Sequence, residues 1–540
     1  MKASRACRVA IHLPLLAVVS LAWRSAGFSA AILSARPAHR CGGSPDIRSG
    51  RGRRNAHMHM HTPEERLGVG FDFGTRQGAG GVRAVVVDTE CKVQFESSLR
   101  WAAPDDPDEW LRAADTLMAD VPPALRKRLA RVCFSGTSAT CLLVDALDPS
   151  RVTRGPRMYS YNTLTEAPEL AREALRALEG IAPDKHTTLS GTSALMKLVL
   201  WHLESPIKPD EAFCHQADYV AAHTTGSRGL GSIFSDWNNA LKAGYDVGRL
   251  EWPGWLLNSQ LGGEIRHCLP EVVAMPGAVV GHVSPAAAGR FGLPPSCEVV
   301  AGTTDSIAAF IAANATAPGH AVTSLGSTLA VKMLSERRVE DASRGVYSHR
   351  LGHAGRRRGG MSQQQQQQQH GGRDQNPDAD AGLWLVGGAS NVGCAVLRTE
   401  GFEPAELETL SGDIDPFQDS PLEYYPLQRG TRGERFPTND PLKESVLEPR
   451  PDSRTEYLHG LLQAIARVEC EGYAALEALG ATKLRRVDTA GGGAANPTWT
   501  AIRRRLLGVP TGKASNTDAA YGCALLAIQG LLPDTTTPNS

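Results

Sequence analysis

The stretch Gly70-Phe71-Asp72-Phe73-Gly74-Thr75 follows an apolar segment, Leu67-Gly68-Val69, and precedes a second apolar run from Val82 to Val87. This order is typical of a strand, a tight Gly-Thr turn and a returning strand. A related stretch, Thr323-Ser324-Leu325-Gly326-Ser327-Thr328, is followed by Leu329-Ala330-Val331. Such turns expose backbone N–H groups and hydroxyls that can hold phosphate oxygens. Two copies predict two related half-domains that face one nucleotide.

Length and composition limit the possible classes of protein. The chain has 540 residues, which favours two large domains, and its hydrophobic content of 41% allows sizeable cores. Lys+Arg and Asp+Glu number 57 each, so no global charge draws the chain to nucleic acid or to anionic membranes. The 11 cysteines have no regular spacing, which favours buried free thiols in a reducing compartment. We therefore expect no nucleic-acid partner, no stable membrane association, and a monomer or homodimer.

The first 61 residues have the composition of a targeting segment. Lys2, Arg5 and Arg8 precede an apolar run from Ile11 to Trp23, which has a signal-peptide layout and is too short for a transmembrane helix. Residues 28–61 are rich in arginine and poor in acids, as transit peptides are. A signal followed by a transit-like segment resembles the bipartite presequence of algae with secondary plastids and predicts a plastid (chloroplast) location. Plain secretion is the alternative, and it fits poorly with unpaired cysteines.

The remainder divides into two predicted domains, over residues 66–316 and 317–535. Residues 354–380 interrupt the second with seven consecutive glutamines followed by Gly, Asp, Asn and Pro, and we expect a disordered loop insertion there. Apolar runs predict strands and helical spacing predicts helices at the following positions: strands Leu67–Phe71, Val82–Val87, Arg131–Phe134, Ala321–Ser324 and Arg486–Thr489; helices Asp108–Met118, Thr192–Leu203, Glu456–Leu479 and Asp518–Ile528.

Three short segments could carry chemistry. Asp72 could share a Mg²⁺ ion with phosphate oxygens, or it could cap its own turn. Asp305 ends the run Val299-Val300-Ala301-Gly302-Thr303-Thr304-Asp305, where it could be a helix N-cap or a general base for a bound hydroxyl. The second phosphate turn begins 18 residues later and favours the base. The glycines Gly491-Gly492-Gly493 could let a flat ligand or phosphate approach the backbone, or form a simple flexible turn.

The order of these motifs resembles the FGGY carbohydrate kinases. Asp-Phe-Gly-Thr stands near the start, Gly-Thr-Thr-Asp at mid-chain, Ser-Leu-Gly-Ser-Thr just after it, and Asp-Thr-Ala-Gly-Gly-Gly near the end. The resemblance runs over about residues 66–530. Longer strings, such as Ser235-Asp236-Trp237-Asn238-Asn239 and Gly433-Glu434-Arg435-Phe436-Pro437, resemble the D-ribulose kinase (xylulose kinase-like) branch of cyanobacteria and plant plastids. The resemblance implies an α/β, two-domain actin-like ATPase (ribonuclease H-like) fold with an interdomain active-site cleft.

The resemblance also implies roles for single residues. Asp305 aligns with the catalytic base, and Asp72 with the aspartate that binds metal and sugar. Ser138 falls where this branch contacts ketose hydroxyls. The residues expected to bind ATP are Gly74 and Thr75 in the first phosphate loop, Gly326, Ser327 and Thr328 in the second, and Gly491, Gly492, Gly493 and Asn496 at the adenosine. The first turn, Thr75 to Arg83, is about four residues longer than the usual family hairpin, so the role of Arg83 stays open.

The expected reaction is ATP- and Mg²⁺-dependent phosphorylation of the terminal hydroxyl of a ketopentose, D-ribulose giving D-ribulose 5-phosphate. A kinase for D-xylulose or another polyol would use the same phosphate machinery and is one alternative. A non-catalytic actin-like nucleotide-binding protein is the other. The pair Asp72 and Asp305 argues against it, because nucleotide binding alone does not need a base that faces a hydroxyl.

Overall fold

The structure is a computed structural model that describes residues 66–74, 81–184, 186–226, 233–352, 382–428, 430–529 and 531. The expected presequence, the insertion at 354–380 and Thr75 lie outside these residues. The strands are β1 Leu67–Gly74, β2 Gly81–Asp88, β3 Val93–Arg100, β4 Leu129–Gly136, β5 Cys141–Asp145, β6 Val152–Arg157, β7 Glu211–His215, β8 Phe234–Asp236, β9 Val272–Ala274, β10 Val279–His282, β11 Glu298–Thr304, β12 His320–Leu325, β13 Leu329–Ser335, β14 Tyr347–Gly352, β15 Leu383–Ser390, β16 Arg486–Ala490 and β17 Thr511–Lys513.

Helices connect these strands. They are α1 Pro107–Asp120, α2 Pro123–Arg126, α3 Thr163–Glu166, α4 Pro168–Glu179, α5 Ala194–Glu204, α6 Gln216–Thr225, α7 Trp237–Ala240, α8 Gly254–Leu257, α9 Gln260–Ile265, α10 Pro285–Phe291, α11 Asp305–Ala312, α12 Ala395–Thr399, α13 Pro404–Gly412, α14 Arg454–Ala478, α15 Pro497–Leu507 and α16 Ala519–Ile528. Short 3₁₀ turns lie at Thr187–Leu189, Leu241–Ala243, Arg266–Cys268, Ala342–Arg344 and Gly492–Ala495. Within the described residues, no helix is both long enough and apolar enough to cross a bilayer.

Two six-stranded sheets share a core of five strands in the same order, and each adds one strand at the opposite edge, β10 beside β11 and β14 beside β15. Their strand orders are β10-β11-β4-β1-β2-β3 and β14-β15-β13-β12-β16-β17. In the first sheet, β1 runs antiparallel to β2 and β2 to β3, while β1, β4 and β11 are parallel neighbours. In the second, β12 runs antiparallel to β13 and β13 to β15, while β12, β16 and β17 are parallel neighbours. The duplicated half-domain predicted from the repeated turn is therefore present in the sheets.

Parallel pairing places the chemically interesting residues at one edge of each sheet, because parallel strands end on the same side. In the first sheet, Asp72 stands beside Ser135, and Thr304 stands beside Gly136. In the second sheet, Ser324 stands beside Ala490. The segments that follow these strands, including Asp305 and the two glycine-containing turns of the second half, leave from these carboxyl edges.

Helix α11 lies between the two sheets. Its Ala308 packs with Cys133 and Val300 of the first sheet. Its Ile307 and Phe310 pack with residues of the second sheet in a separate apolar cluster. The site-bearing end of α11 is thus held by apolar contacts from both halves.

The last helix, α16, packs on the first sheet although it follows the second sheet in the chain. A Cβ atom at Gly70 of β1 would stand 2.2 Å from the Ala520 carbonyl oxygen, so the helix backbone lies directly against the strand. A Cβ atom at Gly522 would stand 1.9 Å from the Ala308 carbonyl oxygen of α11. Glycine is required at both contacts, because any side chain would collide with backbone atoms.

The cysteines in the described part of the chain are all free thiols. Most of them are buried, as their apolar surroundings predict, whereas Cys91 is exposed. Burial raises the pKa of the Cys141 thiol to about 11 and that of Cys268 to about 12. These buried thiols are therefore packing residues in protonated form at neutral pH.

Candidate active site

Asp72 is a buried carboxylate near the end of β1, and both of its oxygens have partners. The Ser135 hydroxyl donates to Oδ1 over 2.9 Å, and Arg83 Nη2 donates to Oδ2 over 3.0 Å. Burial raises the pKa of Asp72, and the Arg83 guanidinium opposes this rise. Asp72 and Arg83 are directly opposed on β1 and β2. The longer first turn therefore still returns Arg83 to a place beside Asp72.

Arg83 also reaches a carboxylate that comes from the end of the chain. Its Nη1 lies 3.6 Å from Asp518 Oδ2, while Asp518 Oδ1 caps α16 by accepting from Ala520 N over 2.8 Å. Two carboxylates thus flank one guanidinium at the mouth of the first turn. The two carboxylates balance the charge of Arg83, whose side chain is 47% exposed and keeps N–H groups open to solvent.

The donor set at Asp72 suits magnesium only with help from a nucleotide. No group of three or more His, Cys, Asp or Glu side chains converges on a point within the described residues. Mg²⁺ is commonly held by one or two carboxylates together with phosphate oxygens and water, and Asp72 has the right chemistry for that role. Since Arg83 and Ser135 each occupy one oxygen of Asp72, contact through an ordered water fits this carboxylate better than direct ligation.

Asp305 is the first residue of α11, and the helix cap precedes it. Thr304 occupies the N-cap position, so the alternative in which Asp305 caps the helix does not describe its place. Asp305 Oδ1 accepts a hydrogen bond from Ser306 N over 2.6 Å. The side chain is half-buried at the carboxyl edge of the first sheet. The N-terminal end of a helix stabilises negative charge, which favours an ionised carboxylate there.

Ser138 lies in the turn that follows β4, the strand next to β1. Gln216 Oε1 fixes this turn by accepting from Thr137 N over 3.0 Å, and Ala139 takes the left-handed conformation with φ of 61°. Ser138 is half-buried, and its hydroxyl has no hydrogen-bond partner in the part of the chain that the structure describes. The sheet register thus brings Asp72, Ser138 and Asp305 to one edge, with a free hydroxyl among them.

The second turn is braced from behind so that its N–H groups point outward. Cys394 N donates to the Gly326 carbonyl over 2.8 Å, and Ala395 N donates to the Ser327 carbonyl over 3.3 Å. In a trans peptide the C=O and the following N–H point in opposite directions. The N–H groups of Ser327 and Thr328 therefore face away from α12. Both residues are exposed, and neither their N–H groups nor their hydroxyls have partners among the described residues.

The glycine turn after β16 packs tightly against the second turn. Gly491 has φ of 84°, and a Cβ atom there would stand 2.5 Å from the Leu325 carbonyl. A Cβ atom at Gly493 would stand 2.6 Å from the Trp499 ring, whereas one at Gly492 would meet nothing within 4 Å. Gly491 and Gly493 are thus required for packing, and Gly492 presents bare backbone to open space.

Asn496 has a structural task at this turn. Its Oδ1 caps α15 by accepting from Trp499 N over 2.9 Å, and its Nδ2 donates to Ser411 Oγ over 2.8 Å. The residue fixes the start of α15, directly after the glycine turn. Its closeness to a nucleotide stays a prediction.

A buried ion pair links the strands that lead into Gly326–Thr328 and into the glycine turn, and it was not predicted from the sequence. Arg503 of α15 donates to both oxygens of Glu469 on α14, over 2.6 and 2.7 Å. Arg503 also donates to Thr489 of β16 over 2.7 Å, and Thr323 of β12 donates to Glu469 over 2.5 Å. Thr323 and Thr489 are register partners. Thr323 lies two residues before the end of β12, and Thr489 lies one residue before the end of β16. The pair therefore sets the spacing of the strands that carry both turns.

Comparison with known proteins places this geometry in a known architecture. No family model matches the chain. Among solved structures, the gluconate kinase of Lactobacillus acidophilus matches with a TM-score of 0.66 at 16% identity, over 86% of this chain and 89% of that one. The xylulose kinase of Bifidobacterium adolescentis matches with a TM-score of 0.66 at 17% identity, over 87% and 95%. The Plasmodium falciparum glycerol kinase with ADP matches with a TM-score of 0.65 at 14% identity, over 86% and 89%.

The fold is the two-domain actin-like ATPase fold of sugar kinases. The fold class expected from the order of the motifs is thereby confirmed. In this fold, the same core of sheet strands occurs in both halves. The sequence located the turns and Asp305, whereas the Arg83–Asp72 pairing emerges only from strand register and the Glu469–Arg503 ion pair only from the packing of α14 and α15.

Proposed function

We propose that the protein is an ATP-dependent carbohydrate kinase. One observation carries the proposal: a carboxylate with access to a ligand, Asp305, stands at the carboxyl edge of one sheet, and a turn with free N–H groups and hydroxyls, Gly326 to Thr328, stands at the same edge of its duplicate. A turn of this kind holds phosphate oxygens, and the carboxylate can accept a proton from a hydroxyl. The structural neighbours, which include gluconate, xylulose and glycerol kinases, agree with this assignment.

The reaction follows from these groups. ATP lies with its phosphates on the second turn and its adenosine against Gly492. The acceptor hydroxyl lies at Asp305, which takes its proton as the oxygen attacks the γ-phosphorus. The new O–P bond forms as the bond to the β–γ bridging oxygen breaks, and ADP leaves. Catalysis of phosphoryl transfer depends mainly on positioning and electrostatics, and Arg83 adds positive charge at the first turn. A bound Mg²⁺ would neutralise phosphate charge, and Asp72 is the residue that would hold it.

D-Ribulose is the acceptor we propose, with D-ribulose 5-phosphate as the product. Its support is the resemblance of the longer sequence strings to the D-ribulose kinase branch, together with the free Ser138 hydroxyl beside Asp72 and Asp305. D-Xylulose or another polyol remains the competing acceptor, because groups that bind the phosphates do not distinguish one sugar from another.

The test is ADP release by the protein with Mg-ATP and a panel of D-ribulose, D-xylulose, L-ribulose, D-ribose and glycerol. Preference for D-ribulose supports the substrate, and turnover of another sugar retains the kinase and rejects D-ribulose. Asp305→Asn should lower kcat by at least about 100-fold, the lower range for general acid–base catalysis. Asp106→Asn is the matched control, because Asp106 caps α1 and asparagine caps equally well. Near-normal turnover by Asp305→Asn would contradict the mechanism.

We also propose delivery to a plastid through residues 1–61. The support is the order of a signal-like and an arginine-rich segment in the sequence. A fluorescent protein fused after residue 61 should enter the plastid of an alga with secondary plastids, and export of the fusion to the medium would reject this location in favour of secretion.

A further inference from the structure

A group of basic and aromatic side chains lies beside Asp305, outside the residues that the reaction uses. Lys332 of β13 donates from Nζ to the Ser306 carbonyl over 2.7 Å. Lys242, in the 3₁₀ turn Leu241–Ala243, holds its Nζ 5.2 Å from the centroid of the Tyr347 ring. Tyr347 and His349 are two residues apart on β14, so they share one face of the second sheet, and their ring centroids are 5.5 Å apart. We call Lys332, Lys242, Tyr347 and His349 the lysine cluster.

The two ammonium groups of the lysine cluster face little negative charge from the described residues, since Asp305 alone acts on Lys332 electrostatically. Neither lysine ammonium forms an ion pair there, and Lys242 also lacks a hydrogen-bond partner. Burial lowers the pKa of Lys332 to about 8, nearby Asp305 acts in the opposite direction, and Lys242 lowers it further. The His349 ring is 5% exposed, and its Nδ1 has no hydrogen-bond partner. Burial and the two lysines hold the pKa of His349 well below its usual range, so the ring is neutral.

Such an arrangement is costly unless a ligand completes it. Partly buried ammonium groups lose hydration, and unpaired buried polar atoms cost free energy. A cluster kept only for packing would be served better by apolar side chains of similar size. Its unused N–H donors and the unpartnered imidazole nitrogen instead match a ligand that presents several oxygen atoms.

The position of the cluster identifies which part of a ligand it faces. Strand β13 begins immediately after the second turn, and Lys332 is three residues farther on, about 10 Å at roughly 3.3 Å per residue. In the proposed reaction, the γ-phosphate lies between this turn and the acceptor hydroxyl at Asp305. The rest of the acceptor must therefore extend away from the turn, along β13 and towards Lys332.

We propose that Lys332 and Lys242 determine acceptor specificity by binding the end of the carbohydrate that is remote from the phosphorylated hydroxyl. The lysine cluster selects oxygen-bearing, uncharged or anionic ends, binds a carboxylate most tightly, and rejects an ammonium group. Tyr347 supplies an apolar wall, and His349 supplies a neutral nitrogen for a hydroxyl. The inference rests on the proposed function for the direction in which the acceptor lies.

Calorimetric titration of the full-length protein without ATP tests the inference. The probes are D-ribulose and a matched series of five-carbon compounds: D-ribonate, ribitol and 1-amino-1-deoxy-D-ribitol. We expect D-ribonate to bind at least tenfold more tightly than the amino compound. Lys332→Met and Lys242→Met should each weaken the binding of D-ribonate and D-ribulose at least about tenfold. Each should also reduce the difference in affinity between D-ribonate and the amino compound. Lys332→Arg should retain most of the affinity, because it keeps the charge.

Lys443→Met is the matched control, since Lys443 also lies over a tyrosine ring, at 4.3 Å from the centroid of Tyr425. It should bind all four compounds as the wild type does. Three results would each overturn the inference. They are unchanged affinities in both cluster variants, equal affinity of the wild type for the amino compound and D-ribonate, and no binding of any probe to the wild type. Binding without phosphorylation would instead leave the lysine cluster supported and contradict the proposed kinase, so the two failures are distinguishable.

Discussion

Replacing Glu469 with glutamine should damage stability and nucleotide binding together. Glu469 and Arg503 are 0% and 1% exposed, so the variant leaves a guanidinium in the core of the second half without a charged partner. Breaking a buried ion pair from one side costs about 3–5 kcal/mol. For a unit of about 200 residues, each kcal/mol lowers Tm by roughly 2–4 °C, so the expected fall is roughly 6–20 °C.

The second consequence of Glu469→Gln is local. Thr323 loses its charged acceptor, and Arg503, which donates to Thr489, loses the carboxylate that positions it. The strands of Thr323 and Thr489 lead into the turn Gly326–Thr328 and the glycine turn. A hydrogen bond to a charged group contributes about 1.5–3 kcal/mol, and 1.4 kcal/mol corresponds to a tenfold change in affinity. We therefore expect the KM for ATP to rise roughly tenfold, with the KM for the acceptor unchanged.

Urea denaturation followed by tryptophan fluorescence is a suitable stability assay, because Trp499 is buried and donates from Nε1 to the Leu462 carbonyl, close to the altered pair. Glu211→Gln is the matched control. Glu211 pairs with Arg154 in the first half, where the side chains are 4% and 15% exposed. It should lose stability without a change in the KM for ATP. A loss below about 1 kcal/mol in Glu469→Gln, or an equal rise in the KM for ATP in Glu211→Gln, would refute the reasoning.

Two further predictions concern the glycine turn and a buried carboxyl group. Gly491→Ala should lower both Tm and the affinity for ATP, because its Cβ would collide with the Leu325 carbonyl. Gly492→Ala should weaken ATP binding and leave Tm unchanged, because a Cβ atom there meets nothing. Equal losses of Tm in the two variants would contradict this prediction. Burial raises the pKa of Asp236 from 3.8 to about 7, so the folded state holds a proton that the unfolded state has lost between these values. Its contribution to the free energy of unfolding is therefore largest below pH 4 and falls as the pH rises to 7, and Asp236→Asn should flatten Tm across that window.

The sequence predicted the elements that carry strong local signals. The strand predicted at Arg131–Phe134 spans Leu129–Gly136, and the helix predicted at Glu456–Leu479 spans Arg454–Ala478. The apolar pattern identifies these elements, whereas pairing with a neighbouring strand or a capping side chain sets their ends. The helix at Arg454–Ala478, for example, starts where the Ser453 hydroxyl accepts from Glu456 N.

The interaction partners of charged residues could not be predicted from the sequence. Lys332 is the one charged residue in the strand Leu329–Ser335, and only the packing of α11 on the second sheet shows that it lies beside Ser306 and Asp305. Arg503 stands in a run of three arginines, Arg503-Arg504-Arg505, that suggests an exposed basic face. Only the packing of α15 against Glu469 of α14 shows that Arg503 is buried while Arg504 and Arg505 are not.

The docking of α16 on the first sheet has a consequence for biosynthesis. Residues 519–528 supply the apolar partners of Val85 and Val87 in β2. During translation, the first half is therefore complete in sequence, while one face of its sheet stays uncovered, until almost the whole second half has left the ribosome. An exposed apolar sheet face is a surface that chaperones bind and that aggregates. Nascent chains stalled before residue 519 should therefore depend on chaperones, although they already contain both phosphate turns.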